Sequence, residues 1–327
     1  MKRVKVYGTL GPACADENTL VRMLREGMTG MRLNLSHTSL DEASELVGAY
    51  RNAARACGIE AELLIDMQGP ELRIGVLKTP MILERGARVS LDDIPFPDEV
   101  RDAANDSPPG QEALLDDGRL LLVKTSSDAF TVERGGLLES RKSVALPGAG
   151  IRTPAVTDAD RANYKMARTY GVTAVMQPFV RGGEDLMEVR EAMDEAGLTE
   201  TRLMAKIENA EGIRTLDEII PCCGEVVIAR GDLGNSMDLW ELPAAQKRIA
   251  AACVKAGRDF TVVTQMLDSM IKKPVPTRAE VSDIFNAVLD GAASVMLTGE
   301  TAVGENPVEA IRYMVKTVRS AERFISE

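Results

Sequence analysis

The chain alternates short β-branched runs with amphipathic helical stretches, and this alternation narrows the folds open to it. Eight runs have the length and composition of buried strands: Val4–Leu10, Met31–Leu35, Glu62–Met67, Ala174–Phe179, Arg202–Ile207, Glu225–Ala229, Phe260–Met266 and Ser294–Thr298. Helical stretches follow most of them: Glu17–Glu26, Leu40–Ala56, Asp185–Ala196, Ala244–Ala256 and Pro307–Phe324. About eight strand–helix units in series predict an α/β fold, the (β/α)8 or TIM barrel, which takes roughly 250 residues. The alternative is an open doubly wound sheet, but no Gly-rich dinucleotide-binding turn follows the first strand.

One segment interrupts the alternation. From Gly75 to Leu146 the pattern becomes rich in short strands and loops, with several prolines and the turn sequence Asp116-Asp117-Gly118. We predict a small all-β domain, residues 74–147, inserted after the third barrel strand on the face where barrel active sites lie. The barrel would then comprise residues 1–73 and 148–327.

The composition limits the partners open to the chain. With 45% hydrophobic residues among 327, it can bury a substantial core, which must be mainly aliphatic because only 4% of the residues are aromatic. The net charge of −11, without a basic stripe, argues against nucleic acid as a partner, although a locally basic site could still bind phosphate. The five cysteines form no CxxC pair, and no apolar run is long enough to span a bilayer. We therefore expect no membrane partner and a cytoplasmic location.

Charged side chains gather where the predicted strands end. Lys206 and Glu208 lie two residues apart, so they face the same side of a strand, and Asp232 follows the next strand along the chain. Carboxylates are ligands for Mg²⁺, and a lysine supplies positive charge to a phosphoryl group in transfer. Lys206 and Glu208, taken alone, could form an ordinary ion pair. The other strand exits carry further polar groups, namely Thr9, Arg32, Asn34, Ser36, His37, Asp66, Arg73 and Thr264.

This convergence favours phosphoryl chemistry at the carboxyl end of the barrel. The oxygens of Asn34, Ser36 and Asp66 suit a second, monovalent cation, and Gly231 lets the backbone approach a ligand closely. The amino ends of the same strands, by contrast, begin with unremarkable residues. Such an asymmetry is typical of a barrel with its active site on the carboxyl face.

The motifs at these strand ends resemble those of the pyruvate kinase family over nearly the whole chain. The matching segments are Thr9–Pro12 (T-L-G-P), Met31–His37 (M-R-L-N-L-S-H), Gly69–Arg73 (G-P-E-L-R), Lys206–Asn209 (K-I-E-N), Ala229–Gly234 (A-R-G-D-L-G), Thr264–Ile271 (T-Q-M-L-D-S-M-I), Pro276–Glu280 (P-T-R-A-E) and Thr298–Ala302 (T-G-E-T-A). The resemblance implies transfer of the phosphoryl group of phosphoenolpyruvate to ADP, which gives pyruvate and ATP in glycolysis.

The resemblance also implies a role for each site residue. The catalytic residues would be Lys206, Arg32 and Thr264. The residues facing the substrate would be Gly231, Asp232, Thr264 and Arg32. The ligands of Mg²⁺ (or Mn²⁺) would be Glu208 and Asp232. The ligands of K⁺ would be Asn34, Ser36, Asp66 and Met67. The residues near the nucleotide would be Asn34, His37, Arg73 and Lys142.

Two further expectations follow from the resemblance. Glu71 occupies a position that accompanies K⁺ dependence in the family, and the inserted domain, which carries Lys142, acts there as a lid. The C-terminal effector-binding domain of typical members is expected to be absent, although a homo-oligomer, a barrel-to-barrel dimer or tetramer, remains open.

The sequence departs from the family pattern at three places close to the substrate. Met67-Gln68 stands where Thr-Lys is usual, Pro178 replaces a Ser, and Asn235-Ser236-Met237 replaces a Val-Glu-aliphatic run. From these departures we expect an effect on turnover or substrate preference. Two alternatives to a pyruvate kinase also stay open: a metal-dependent aldolase or lyase that acts through a pyruvate enolate, and a non-catalytic homologue.

Overall fold

The structure is a computed structural model that describes residues 3–36, 38–116, 118–126 and 128–327. The chain divides into two compact units, which we call the barrel unit (Met1–Gly69 with Ala155–Glu327) and the inserted unit (Pro70–Pro154). This division lies a few residues outside the bounds 74–147 that the sequence analysis gives for the insertion. In these described ranges, none of the helices is both long and apolar enough to cross a membrane.

The part of the chain that the structure describes contains fifteen strands and twelve α-helices. The strands are β1 (Lys5–Thr9), β2 (Gly30–Asn34), β3 (Glu62–Asp66), β4 (Met81–Leu83), β5 (Arg88–Ser90), β6 (Glu112–Leu115), β7 (Leu120–Ser126), β8 (Ala129–Arg134), β9 (Gly136–Leu138), β10 (Val144–Ala145), β11 (Ala174–Gln177), β12 (Arg202–Ile207), β13 (Glu225–Ala229), β14 (Asp259–Val263) and β15 (Ser294–Met296). The helices are α1 (Glu17–Glu26), α2 (Ser44–Cys57), α3 (Asp98–Asp106), α4 (Asp158–Ala167), α5 (Gly183–Glu195), α6 (Ala210–Arg214), α7 (Leu216–Cys222), α8 (Arg230–Asn235), α9 (Leu242–Ala256), α10 (Arg278–Leu289), α11 (Gly299–Ala302) and α12 (Pro307–Ser326).

Eight of the described strands close into a barrel in the order β1-β15-β14-β13-β12-β11-β3-β2. Every neighbouring pair in this ring is parallel. Parallel neighbours need a crossover connection, and helices supply it, so all eight carboxyl ends meet at one end of the barrel. The predicted (β/α)8 barrel is confirmed, and the open doubly wound sheet is excluded.

The barrel has two hydrophobic layers because alternate residues of each strand face opposite sides. Leu63 and Ile65 belong to the large buried core that the helices cover, whereas Leu64 belongs to a separate buried cluster with Met204 and Met296. This second cluster fills the barrel interior with mainly non-aromatic side chains, and Tyr7 is its one aromatic member.

A charged network occupies the barrel interior at the amino ends of the strands. Glu62 accepts hydrogen bonds from Lys5 Nζ (2.7 Å) and from both terminal nitrogens of Arg202 (3.2 Å each), and the Tyr7 hydroxyl also donates to it. Arg202 in turn lies 3.3 Å from the carboxylate of Glu225. The description of these strand ends as unremarkable was therefore wrong. The members come from four strands that are far apart in sequence, so only the closed barrel reveals the network.

The pKa of Glu62 makes this network a source of pH-dependent stability. Burial alone would raise this pKa, but hydrogen bonds from Arg202, Lys5 and Tyr7 outweigh it and lower the pKa to about 2. The unfolded value is about 4.3, so the stabilisation is complete above that pH and is lost as the pH falls towards 2.

We expect Glu62→Gln to lower the free energy of unfolding at pH 7 by about 1–3 kcal/mol, because Arg202 and Lys5 lose a charged acceptor. Urea titrations at pH 7 and pH 3 measure this loss, which should be smaller at the lower pH. Glu305→Gln, at a largely exposed ion pair with Lys272, is the matched control. An equal loss at both pH values would contradict the assigned pKa.

Two buried threonines join the first and last strands of the ring at its carboxyl end. The Thr9 amide donates to Thr301 Oγ1 (2.7 Å), and that hydroxyl donates back to the Thr9 carbonyl (3.0 Å). Thr9 Oγ1 also donates to the Leu297 carbonyl (2.8 Å). These bonds lock β1 to the segment that follows β15.

The carboxyl end of β11 holds both places where the chain leaves and re-enters the barrel unit. Gly69 has a φ of +59°, and a Cβ there would lie 2.6 Å from the ring of Pro178. Gln177 Nε2 donates to the Ala155 carbonyl (2.8 Å). The departure at Pro178 thus packs against the glycine that precedes the inserted unit.

The inserted unit has its own buried core and is built mainly of antiparallel strands. In its described residues, β10-β6-β7-β8-β5 form one sheet and β4-β9 another. It also contains α3, a helix that the sequence analysis did not predict. Buried Lys124 donates to the carbonyls of Asn105 (3.0 Å), Ala104 and Ser107, which compensates the negative end of this helix.

Candidate active site

Lys206 lies between two carboxylates at the carboxyl end of the barrel. Its Nζ is 3.1 Å from Asp66 Oδ1 and 2.9 Å from Glu208 Oε1. Arg32 binds the other oxygen of Asp66 through Nε (2.7 Å) and Nη2 (2.6 Å), and its Nη1 lies 3.3 Å from Thr9 Oγ1. The structure therefore brings together side chains from β2, β3 and β12, which are far apart in sequence.

The charges of this group are mutually dependent because they are buried. Burial alone would lower the pKa of Lys206, but Asp66 and Glu208 outweigh it and raise the pKa. Burial alone would raise the pKa of Asp66, but Lys206 and Arg32 lower it. Lys206 is thus held as a cation although only 12% of its side chain is exposed.

Glu208 differs from Asp66 in that its negative charge is less well compensated. Burial raises the pKa of Glu208, Lys206 opposes this effect, and the charge of Asp232 adds to it, so the pKa stands above its usual value. Glu208 Oε2 accepts a hydrogen bond from the Phe179 amide (2.8 Å), and Phe179 has a left-handed φ of +55°. The sequence analysis assigned no role to Phe179 or Thr9. Their positions at strand exits were the available signal.

The carboxylates fit a divalent cation. Glu208 Oε1 and Asp66 Oδ1 are buried and lie in ion-pair range of Lys206, yet neither has a well-directed hydrogen-bond partner among the described residues. Each carboxylate oxygen can accept more than one contact, so these hard acceptors can bind Mg²⁺ beside the lysine. In the described part of the chain, no group of three or more acidic, His or Cys side chains is gathered at metal-binding spacing. The protein would thus supply one or two carboxylates, and substrate and water oxygens would complete the coordination.

Thr264 and Gly231 form a close contact beside this group. A Cβ on Gly231 would lie 3.1 Å from Thr264 Cγ2, so only glycine fits there without displacing the threonine. Thr264 and Gln265 both have left-handed φ values, +79° and +53°. Such a conformation costs a β-branched residue on the order of 1–3 kcal/mol, and strain of this size is typical of functional sites. Asp232 follows Gly231 in the first turn of α8.

The candidate K⁺ ligands lie at the adjacent carboxyl ends of β2 and β3. Asn34 is the register partner of Asp66, and its Oδ1 accepts a hydrogen bond from the Ser36 amide (3.2 Å). Met67 is buried, and its amide donates to the Met176 carbonyl (3.0 Å). Both carboxylate oxygens of Asp66 face the cations Arg32 and Lys206. A K⁺ site therefore remains a proposal.

The candidate nucleotide residues are divided between the units. Asn34 belongs to the barrel unit and His37 lies outside the described residues. Arg73 and Lys142 belong to the inserted unit, on adjacent segments that the Ile74 amide joins to the Lys142 carbonyl (2.9 Å).

Arg73 and Lys142, the two candidate nucleotide residues of the inserted unit, both have acidic partners. Arg73 Nε donates to Glu71 (2.8 Å), and Lys142 Nζ lies 3.0 Å from Asp116 and 3.5 Å from Glu139.

The unusual residues after Asp232 are structural in part, because Ser236 Oγ donates to the Leu233 carbonyl (2.9 Å) at the end of α8 and Met237 packs on the core.

This geometry defines a class of protein. A closed parallel barrel with cations and carboxylates gathered at the carboxyl ends of its strands is an enzyme of the (β/α)8 class. Residues 1–311 match the model of the pyruvate kinase barrel domain. The chain belongs to the pyruvate kinase family, whose members are phosphotransferases that depend on a divalent metal.

Individual relatives agree with this assignment. The chain is 35% identical over 338 residues to a pyruvate kinase of Geobacillus stearothermophilus, with 99% of this chain and 58% of that protein covered. It is 37% identical over 333 residues to one of Corynebacterium efficiens (98% and 70% covered) and 36% identical over 321 residues to one of Aeropyrum pernix (96% and 69% covered). The chain thus spans between 58% and 70% of the length of these relatives, and the resemblance inferred from the motifs is confirmed.

We expect Glu208→Gln to weaken Mn²⁺ binding roughly tenfold or more, because it removes a charged oxygen ligand while preserving shape. Titration of the full chain followed by electron paramagnetic resonance measures free Mn²⁺ directly. Glu305→Gln, far more exposed, is the control and should bind as the unaltered chain does. Equal affinities for all three proteins would contradict the assignment of Glu208 as a metal ligand.

Proposed function

We propose that this chain catalyses the pyruvate kinase reaction, the transfer of the phosphoryl group of phosphoenolpyruvate to ADP. The observation that carries the proposal is the buried, cationic Lys206 held between Asp66 and Glu208. Membership of the pyruvate kinase family supports it.

The chemistry of the residues accounts for the proposed reaction. Phosphoryl transfer needs positioning and positive charge more than covalent help from the protein. Lys206 supplies a positive charge that its ion pairs hold in place. Arg32, which Asp66 holds, supplies a second positive charge for the phosphoryl oxygens. Because carboxylates already hold both cations in place, the two side chains need not move when negative charge shifts between the phosphoryl and enolate oxygens of the substrate.

The substrate carboxylate would lie against the close contact of Gly231 and Thr264, where Gly231 is partly exposed. Glu208 and Asp232 would hold Mg²⁺ or Mn²⁺, which when bound supplies charge neutralisation for the phosphate and enolate oxygens. Asn34, Ser36, Asp66 and the Met67 carbonyl would hold K⁺.

The inserted unit would contribute Arg73 and Lys142 to nucleotide binding, together with Asn34 and His37. These two cations favour ADP as acceptor over the aldolase or lyase alternative, which needs no nucleotide. The role of the inserted unit as a lid, a homo-oligomeric state and a cytoplasmic location remain predictions.

We expect ATP formation in a coupled assay with phosphoenolpyruvate, ADP, Mg²⁺ and K⁺, and Lys206→Met should lower kcat by about a hundredfold or more with little change in KM. The reason is that the lysine charge acts mainly in the transition state. Lys247→Met is the matched control, since Lys247 is an exposed lysine paired with Asp290. No turnover by the unaltered chain would exclude the proposed function, and near-normal kcat in Lys206→Met would exclude the proposed role of that residue.

Replacement of K⁺ by Na⁺ at constant ionic strength should lower the rate in the same assay. The expected cause is that the smaller ion fits the oxygens of Asn34, Ser36 and Asp66 less well. Equal rates in both salts would exclude the K⁺ site and leave the Mg²⁺ site untouched.

A further inference from the structure

Arg230 is the first residue of α8 and directly precedes Gly231 and Asp232. The proposed reaction gives it no role. Its side chain is only 12% exposed, and each of its three guanidinium nitrogens donates a hydrogen bond. A buried arginine with all its nitrogens occupied acts as a rigid fork rather than as a free charge.

The fork points at the backbone of Thr264. Nε donates to the Thr264 carbonyl (3.1 Å), and Nη2 donates to the same oxygen (2.7 Å). Thr264 and Gln265 are the two consecutive left-handed residues after β14. The two hydrogen bonds from Arg230 therefore hold the carbonyl of the peptide bond that connects these two strained residues.

The other side of the fork is anchored on the helices. Nη1 donates to Asp283 Oδ2 on α10 (2.6 Å) and lies 3.5 Å from Gln246 Oε1 on α9. Nη2 also approaches Met266 Sδ (3.0 Å), just beyond the strained pair. Contacts with α9 and α10 thus hold the guanidinium in place, and the guanidinium in turn holds the backbone that follows β14. A lysine, with one ammonium group, could keep the pair with Asp283 but could not at the same time donate two converging hydrogen bonds to the Thr264 carbonyl.

Consecutive residues hold Thr264 from two directions. Arg230 binds its carbonyl, and Gly231 leaves the space that its side chain fills, with the Thr264 hydroxyl oxygen 3.6 Å from the position of a Cβ on Gly231. A shift of the carbonyl would therefore move the hydroxyl relative to Gly231.

We propose that Arg230 is a positioning residue that fixes the left-handed Thr264–Gln265 turn and so presents the Thr264 hydroxyl at Gly231. The proposal rests on the proposed function for what the hydroxyl meets there, the carboxylate of phosphoenolpyruvate. The constraint on the turn itself does not depend on that function.

Arg230→Lys tests the proposal in the full chain. We expect kcat/KM for phosphoenolpyruvate to fall about 10- to 100-fold, as a small misplacement of a catalytic group does. Backbone amide hydrogen exchange at residues 265–267 should become faster, while exchange in β1, β2 and β3 stays unchanged. Arg312→Lys is the matched control, because Arg312 is also an ion-paired arginine, with Glu26 and Glu309, but lies on α12, and it should change neither measurement.

A double-mutant cycle with Thr264→Ala separates positioning from a general structural effect. If Arg230 acts through Thr264, the double variant should lie within about threefold of Thr264→Ala alone. Fully multiplicative losses would overturn the proposal. If Arg230→Lys does not fold, Asp283→Asn, which weakens only the anchor on α10, should change both measurements in the same direction by a smaller amount.

The outcomes for the two proposals remain distinguishable. A chain without turnover would exclude the proposed function, and the exchange measurement would still decide on Arg230. Unchanged exchange at residues 265–267 in Arg230→Lys would overturn the positioning role even if the chain is fully active.

Discussion

The active end of this barrel depends on the pairing of Lys206 with Asp66 and Glu208. A buried ammonium group is costly unless carboxylates compensate it, and the same is true of each carboxylate. Arg32 completes the balance by binding the remaining oxygen of Asp66. Burial and then the charge of Asp232 raise the pKa of Glu208, so a divalent cation beside these two carboxylates would offset their repulsion. The arrangement is thus poorly suited to stability alone and well suited to holding a metal next to a phosphate.

The sequence predicted the barrel well because strand–helix alternation is a local signal. The strand exits also pointed to Lys206, Glu208 and Arg32, since alternation within a strand places such residues on one side. The network of Glu62 and Arg202 was missed because its members come from the starts of different strands, and single polar residues there look ordinary. Helix α3 was missed because its sequence, DEVRDAAND, has few apolar residues and its C-terminal end is stabilised by Lys124 from a later strand.

The role of Arg230 shows a second limit of sequence reasoning. An Arg next to Gly231 and Asp232 looks like a free charge of the site, but its side chain donates to the Thr264 carbonyl and to Asp283. Likewise, the sequence placed Pro178 near the substrate but did not show that its ring packs on Gly69, where the chain leaves the barrel unit. In both cases the direction of the side chain, which the sequence does not contain, decides the interpretation.

The bonds between Thr9 and Thr301 have a consequence for how the chain folds. These residues are 292 positions apart, and β1 pairs with β15 along the same seam. During synthesis from the amino end, one edge of β1 therefore stays open until β15 has emerged. Contacts of such long range slow folding, and open strand edges expose intermediates to aggregation. We therefore expect the seam between β1 and β15 to close late in folding. A chaperone that shields the open edge of β1 would act before this closure.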